Sequence, residues 1–183
     1  MIRVLTLSVL ALAGIYLLVQ GVGMTPEQAQ DRALLSELNR QEGDELLRRN
    51  AGRPGVVVLP GGMQVEMLRA GDGETPGSDD RVEVHYRGWH ADGRLFDSTY
   101  RLGVPGTVPV ERTIPGWQKV LTSVPVGSHV RVVLPPDLAY GATGSGRIGP
   151  QETLIFEIEL LGIASPPVVV AHDPLQQPVP GLR

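Results

Sequence analysis

Three rhythms of hydrophobic and polar positions divide this chain. From Val4 to Pro26 no residue is charged, and Val4 to Val19 is almost wholly apolar. At about 1.5 Å per helical residue, such a run is long enough to cross the hydrocarbon of a bilayer. Arg3 and the amino terminus precede it, and Glu27 and Asp31 follow it. The positive-inside rule then keeps the start of the chain cytoplasmic and exports the rest. Residues 1–24 are expected to be a transmembrane anchor. The competing reading is a cleaved signal peptide, with Val19-Gln20-Gly21 or Gly21-Val22-Gly23 as weak cleavage sites. Either way the body of the protein is expected outside the cytoplasm.

The second rhythm is helical. Thr25-Pro26-Glu27-Gln28 supplies a capping hydroxyl, a proline suited to the first helical position and a glutamine that completes a capping box. Ala29, Ala33, Leu34, Leu35, Leu38, Leu46 and Leu47 follow as a ragged apolar stripe, weakened at Gly43, to about Arg49. The stripe is too interrupted for a coiled coil. Residues 25–55 are expected as a solvated helical linker that packs lightly, with a weak homodimer through this helix as the second reading.

From residue 56 the period becomes two. Val56 to Leu59 and Met63 to Leu68 predict strands parted by the Pro60-Gly61-Gly62 turn, with Met63, Val65 and Met67 on one face. Gly71 to Asp80 is an acidic loop. Val82, Val84 and Tyr86 share a face, as do Val130, Val132 and Leu134, and then Leu154, Phe156, Ile158 and Leu160. Such alternation marks antiparallel strands with one wet face. One short helix fits between them, from Ile114-Pro115-Gly116-Trp117 to near Val124. The fold class is α+β: a curled antiparallel β-sheet packed on one short α-helix over residues 56–163. Residues 164–183 carry five of the 16 prolines and no period, and are expected to be a disordered tail.

Composition narrows the chemistry. The absence of cysteine removes disulfides, thiol nucleophiles and lipoprotein attachment. A net charge of −4 with a pI near 5.5 argues against nucleic-acid binding through bulk charge. His85, His90, His129 and His172 lack metal-ligand spacing, and His85 and His129 fall on polar strand faces expected to be solvated. The glycines at 141, 144, 146 and 149 are followed by no lysine and open no helix, which argues against a phosphate cradle. Glu157 and Glu159 lie two apart on a strand and point to water, and Lys119, the sole lysine, falls on the exposed side of the short helix. Neither a metal nor a cofactor is expected, and bond-breaking chemistry is not suggested. What stands out is the distribution of rings: of eight aromatic residues, seven lie between Tyr86 and Phe156. Rings with a few hydroxyls and one carboxylate, Asp97, describe an apolar binding pocket.

The ordered segments Val84-His85-Tyr86-Arg87-Gly88, Asp92 to Thr99, Ile114-Pro115-Gly116-Trp117, Val126-Gly127-Ser128, Pro135 to Gly141 and Thr153 to Leu160 resemble the FKBP family of peptidyl-prolyl cis–trans isomerases. The lead-in from Glu42-Gly43 through Asn50 to Pro60 is similar to the exported bacterial subgroup typified by the macrophage infectivity potentiator. The resemblance implies a hydrophobic pocket between sheet and helix, with Trp117 as floor, Tyr86, Phe96, Ile148 and Phe156 as walls and Tyr140 at the rim. It makes Asp97 the pocket carboxylate and Ile114 the backbone N–H that meets a ligand carbonyl. Two positions depart from the pattern: Val108 stands where a phenylalanine is common, and Thr113 replaces an aliphatic residue. The implied activity is isomerisation of X–Pro bonds in exported polypeptides, by a pocket that stabilises the twisted amide. The implied partners are proline-containing polypeptides of the cell envelope, and macrolides such as rapamycin with reduced affinity. An FKBP-like binding or holdase module with little turnover is the alternative.

Overall fold

The capping chemistry at Thr25 is realised. In a computed structural model of the protein, which describes residues 24–164, Thr25 Oγ1 accepts from the Gln28 N–H (3.2 Å) and Gln28 Oε1 accepts from the Thr25 N–H (3.0 Å). Helix α1 then runs Pro26–Ala51. The apolar run Val4 to Val19, with its expected anchor or signal, and the tail from residue 165 lie outside the described residues. Among the described residues no helix is long and apolar enough to cross a membrane.

The leucine stripe is not what docks α1. Arg32, Ser36, Asn39, Gly43, Leu47 and Asn50, spaced at the helical period, are among the positions turned away from solvent, with Glu45 and Leu46 half-buried beside them, while Leu34, Leu35 and Leu38 are exposed. The surface beneath α1 is loop backbone with unpaired carbonyls, so polar side chains gain most there. Arg32 donates to the Thr143 carbonyl (2.7 Å) and Asn39 to the Pro150 carbonyl (2.8 Å). At the far end the buried Asn50 donates to Gln64 Oε1 (2.8 Å), and Gln64 donates to the Leu47 carbonyl (2.8 Å). Gly43 is the point of closest approach, because a Cβ there would lie 2.2 Å from Thr153 Oγ1. The helix thus touches the domain at Arg32, Asn39, Gly43 and its last turns, while most of its other residues are exposed.

Seven antiparallel strands follow: β1 (Val56–Val58), β2 (Gln64–Arg69), β3 (Arg81–Trp89), β4 (Leu95–Ser98), β5 (Gly106–Pro109), β6 (His129–Leu134) and β7 (Leu154–Ala164). Their order is β1-β2-β6-β7-β3-β4, with β5 also pairing β3. β7 reaches Ala164, one residue beyond the expected domain end. Helix α2 (Pro115–Leu121) crosses the inner face. The alternating residues Val82 and Val84, Val130, Val132 and Leu134, and Leu154, Phe156, Ile158 and Leu160 are buried, with Trp117, Val120 and Leu121 of α2 among them. On β2 the alternation fades: Met63 is buried, Val65 half-buried and Met67 exposed. The fading leads into a register shift between Met67 and Arg69, where an irregularity bends the strand.

The outer face is only partly wet. Gln64, Val133, Ile155 and Trp89 form one cross-strand row, and Val133 and Ile155 are buried where the last turns of α1 bond to Gln64. Beyond it the face carries charge. His85 stacks on Tyr100 at 4.6 Å, and the Arg87 guanidinium lies 4.1 Å above the same ring. The Tyr100 hydroxyl donates to Glu159 (2.5 Å), which lies 3.6 Å from Arg69. Partial burial and the neighbouring carboxylate push Tyr100 up to about 12, and its hydrogen bond holds Glu159 below the usual carboxylate range. His85 is therefore a half-buried ring, stacked on one side and not fully solvated.

The glycine contact yields a test of docking. Gly43→Ala is expected to weaken the seating of α1 by about 1–3 kcal/mol, the usual cost of overpacking. Amide exchange would speed up along α1 while the β6 and β7 amides keep their protection. Unchanged exchange in α1 would refute the contact.

Candidate active site

Pro115 opens α2 with Ile114 as its N-cap, so the chain turns into the helix directly over the sheet. Gly116 sets the distance: a Cβ there would stand 2.5 Å from a Leu134 methyl and 3.0 Å from the Leu138 carbonyl. That close approach lowers Trp117, 6% exposed, onto the strands. Its ring meets Tyr86 edge-on at 5.1 Å and Phe156 edge-on at 5.4 Å, and Phe96 meets Phe156 edge-on at 5.7 Å. Perpendicular pairs of this kind match positive ring edges to negative faces. Phe96 reaches Phe156 only because β3 carries glycine at 88. A Cβ there would lie 2.6 Å from the Phe96 ring and 3.0 Å from that of Phe156.

The rings enclose a cavity of about 250 Å³, lined by Tyr86, Phe96, Asp97, Val108, Arg112, Thr113, Ile114, Trp117, Tyr140 and Phe156. Nine of the ten residues expected at the site are therefore brought together. Ile148 is the exception: it is 8% exposed, belongs to the core cluster and does not line the cavity. A short bridge to Ser145 holds its backbone within its own loop, and its side chain packs into the core.

The polar groups of the cavity are few. The Tyr86 hydroxyl donates to Asp97 Oδ2 (2.5 Å), and Asp97 Oδ1 accepts from the Ser98 N–H (2.8 Å). Burial first, and the Asp97 carboxylate second, push the Tyr86 phenol well above its ordinary range. Tyr140 moves the same way, through burial and then the Asp97 charge. Both phenols are neutral donors at physiological pH. Neither the Tyr140 hydroxyl nor the Ile114 N–H makes a hydrogen bond among the described residues, and the buried Trp117 indole N–H also has no partner there. Thr113 donates to the Val110 carbonyl (2.7 Å), so its hydroxyl proton is turned back into the loop.

Several contributors were not legible beforehand. Gln118, one position past the floor, donates to the Thr113 carbonyl (2.7 Å) and the Glu111 carbonyl (3.1 Å), pinning the rim before Ile114. His90, 8% exposed, is paired with Glu152 and packs edge-on against Phe96 at 5.2 Å. Arg112 lines the mouth. Only Gly88 carried a signal, since a glycine inside a strand often marks close approach by another group.

The signature of the FKBP-type peptidyl-prolyl cis-trans isomerase matches residues 72–161. The outer membrane protein MIP of Legionella longbeachae is 46% identical over 129 residues, covering 70% of this chain and 55% of that protein. The FKBP-type 22 kDa peptidyl-prolyl cis-trans isomerase of Escherichia coli is 45% identical over 123 residues, covering 67% and 60%. The chain spans a little over half the length of these relatives. Among solved structures, a peptidyl-prolyl cis-trans isomerase of Pseudomonas syringae pv. tomato superposes with a TM-score of 0.65 at 34% identity, over 71% of this chain and 96% of that one. FkpA from Escherichia coli superposes with a TM-score of 0.74 at 31% identity, over 84% and 70%. With a ring-lined cavity between sheet and helix and relatives at this level of identity, the chain belongs to the FKBP-type peptidyl-prolyl cis–trans isomerase family.

Proposed function

We propose that the cavity catalyses cis–trans isomerisation of X–Pro bonds in polypeptides of the bacterial cell envelope. The observation that carries this reading is a ring-lined, proline-sized cavity with free donors at its edge, whose one carboxylate, Asp97, is already bonded to Tyr86 and Ser98. Rotation about a prolyl amide is slow because resonance keeps it planar, with a barrier near 18–20 kcal/mol and relaxation in tens of seconds. Twisting the bond removes conjugation and lowers the charge separation of the amide. An apolar enclosure favours that less polar species over the hydrated planar amide. The proline ring would rest on Trp117, between Tyr86 and Phe156. The Ile114 N–H and the Tyr140 hydroxyl would hold carbonyls on either side of the rotating bond. Asp97, bonded to Tyr86 and Ser98, orients the wall and transfers no proton.

The envelope assignment rests on the uncharged run from Val4 to Pro26 and on a relative described as an outer membrane protein. An anchor through residues 4–24 on the periplasmic face of the inner membrane is part of the same proposal. So is assistance to exported chains as they fold.

The full chain is expected to speed isomerisation of a short X–Pro peptide. Phe96→Ala should lower kcat/KM at least tenfold by opening the wall, since tenfold corresponds to about 1.4 kcal/mol. Tyr140→Phe should lower it about three- to tenfold, the value of one hydrogen bond. A folded chain with no effect on the peptide would leave the binding-module reading in its place. The pH dependence follows from the phenols. Each binds its proton more tightly in the folded chain than in water, so it stays a donor through the neutral and mildly alkaline range. The kcat/KM should be flat between pH 6 and 9, and a step in that window would refute the assignment of roles. Val108→Phe restores a ring to the cavity lining and should tighten rapamycin about tenfold, as measured by calorimetry. Equal or weaker binding would remove Val108 from the ligand wall.

A further inference from the structure

Of the ten cavity-lining residues, two carry charge, and they differ in how that charge is met. Asp97 accepts from the Tyr86 hydroxyl at 2.5 Å and from the Ser98 N–H at 2.8 Å. Arg112 makes no comparable bond among the described residues: the carboxylate recorded beside it, Glu111, is 3.8 Å away, and the two side chains are 80% and 60% exposed. A contact that long between exposed groups contributes little. The mouth therefore presents a guanidinium whose five donors are available, in the fork geometry that fits a carboxylate.

The backbone under that guanidinium is held in place. Gln118 of α2 bonds the carbonyls of Glu111 and Thr113, the residues on either side of Arg112. The Thr113 N–H and hydroxyl both donate to the Val110 carbonyl. Arg112 is thus mounted on a fixed loop, two residues before the Ile114 N–H that has no partner among the described residues. A peptide carbonyl meeting that N–H would lie two residues along the chain from Arg112, which lines the same cavity as the committed Asp97.

We propose that this cavity selects prolyl segments bearing a carboxylate side chain directly next to the proline, with Arg112 as the residue that reads it. The inference rests on the isomerase reading above and adds to it a substrate class. Because Arg112 is exposed, the attraction is screened by salt. An exposed pair contributes little, so discrimination is expected to reach about fivefold and no more.

The test compares two peptide series with the full chain at low and high ionic strength. In one, Glu, Ala or Lys precedes the proline, and in the other the same residues follow it. The expected result is a kcat/KM for the Glu peptide about fivefold above that for the Lys peptide in at least one series, shrinking toward parity in molar salt. Arg112→Gln should bring the ratio to near one, Arg112→Glu should invert it, and Arg112→Lys should keep part of it. A wild-type chain that turns over all the peptides with equal efficiency in both series would overturn this inference alone. A preference that survives Arg112→Gln would overturn the assignment to Arg112. No catalysis of any peptide would overturn the isomerase reading, and this inference with it.

Discussion

The antiparallel pairing of β3 with β7 is the constraint on which the cavity depends. Its register sets Gly88 opposite Phe156 and Tyr86 opposite Ile158. One strand thereby supplies a ring and a gap while the other supplies the ring that fills it. Phe96 enters from β4, itself paired to β3 so that Asp97 lies across from Gly88. A slip of one residue would turn the inner set outward, since side chains alternate along a strand. The inner faces of both strands are fully apolar except at the cavity, which gives that slip a large penalty. The outer faces reinforce the same register with Arg87 beside Glu157 at 3.8 Å and Tyr100 bonded to Glu159.

The chemistry of the cavity is a matter of which polar groups are satisfied and which are left free. Asp97 and Tyr86 satisfy each other, and Thr113 turns its proton away. The Tyr140 hydroxyl and the Ile114 N–H are donors that a bound backbone can use. Both residues are half-buried at the cavity edge, so a peptide carbonyl reaching either donor takes the place of water. An extended peptide can use both donors, and a purely apolar ligand can use neither. Neutral phenols suit this role, because they donate without imposing a charge on an amide that is losing its own.

Much of this was legible in the chain. The period-two runs ending at Leu134 and Leu160 named the inner face, and Thr25 with Gln28 named the start of α1, because local pattern and local capping decide those features. Five of the seven rings between Tyr86 and Phe156 marked the cavity, while Trp89 and Tyr100 pack on the outer face. Ile148 was misplaced because loop backbone, and not hydropathy, decides where a loop residue points. The face of α1 was misjudged for a related reason: the surface it meets is a row of carbonyls, which rewards Arg32 and Asn39 over Leu34 and Leu38. Gly43 looked like a weakness in a helix and is instead the place where the helix touches Thr153. Gln118 and Arg112 carried no pattern at all, as their roles arise from positions brought together by the fold.

The docking of α1 separates two boundaries that usually coincide. A chain beginning at Val56 would keep every residue that lines the cavity. It would also strip Gln64 of the Leu47 carbonyl and the Asn50 amide, and leave the Thr143 and Pro150 carbonyls without their donors. The segment from Thr143 to Pro150 comes directly after Tyr140 in the chain, so the loss falls beside the rim. The bonds that surround the site therefore extend beyond the residues that line it, by the length of one helix.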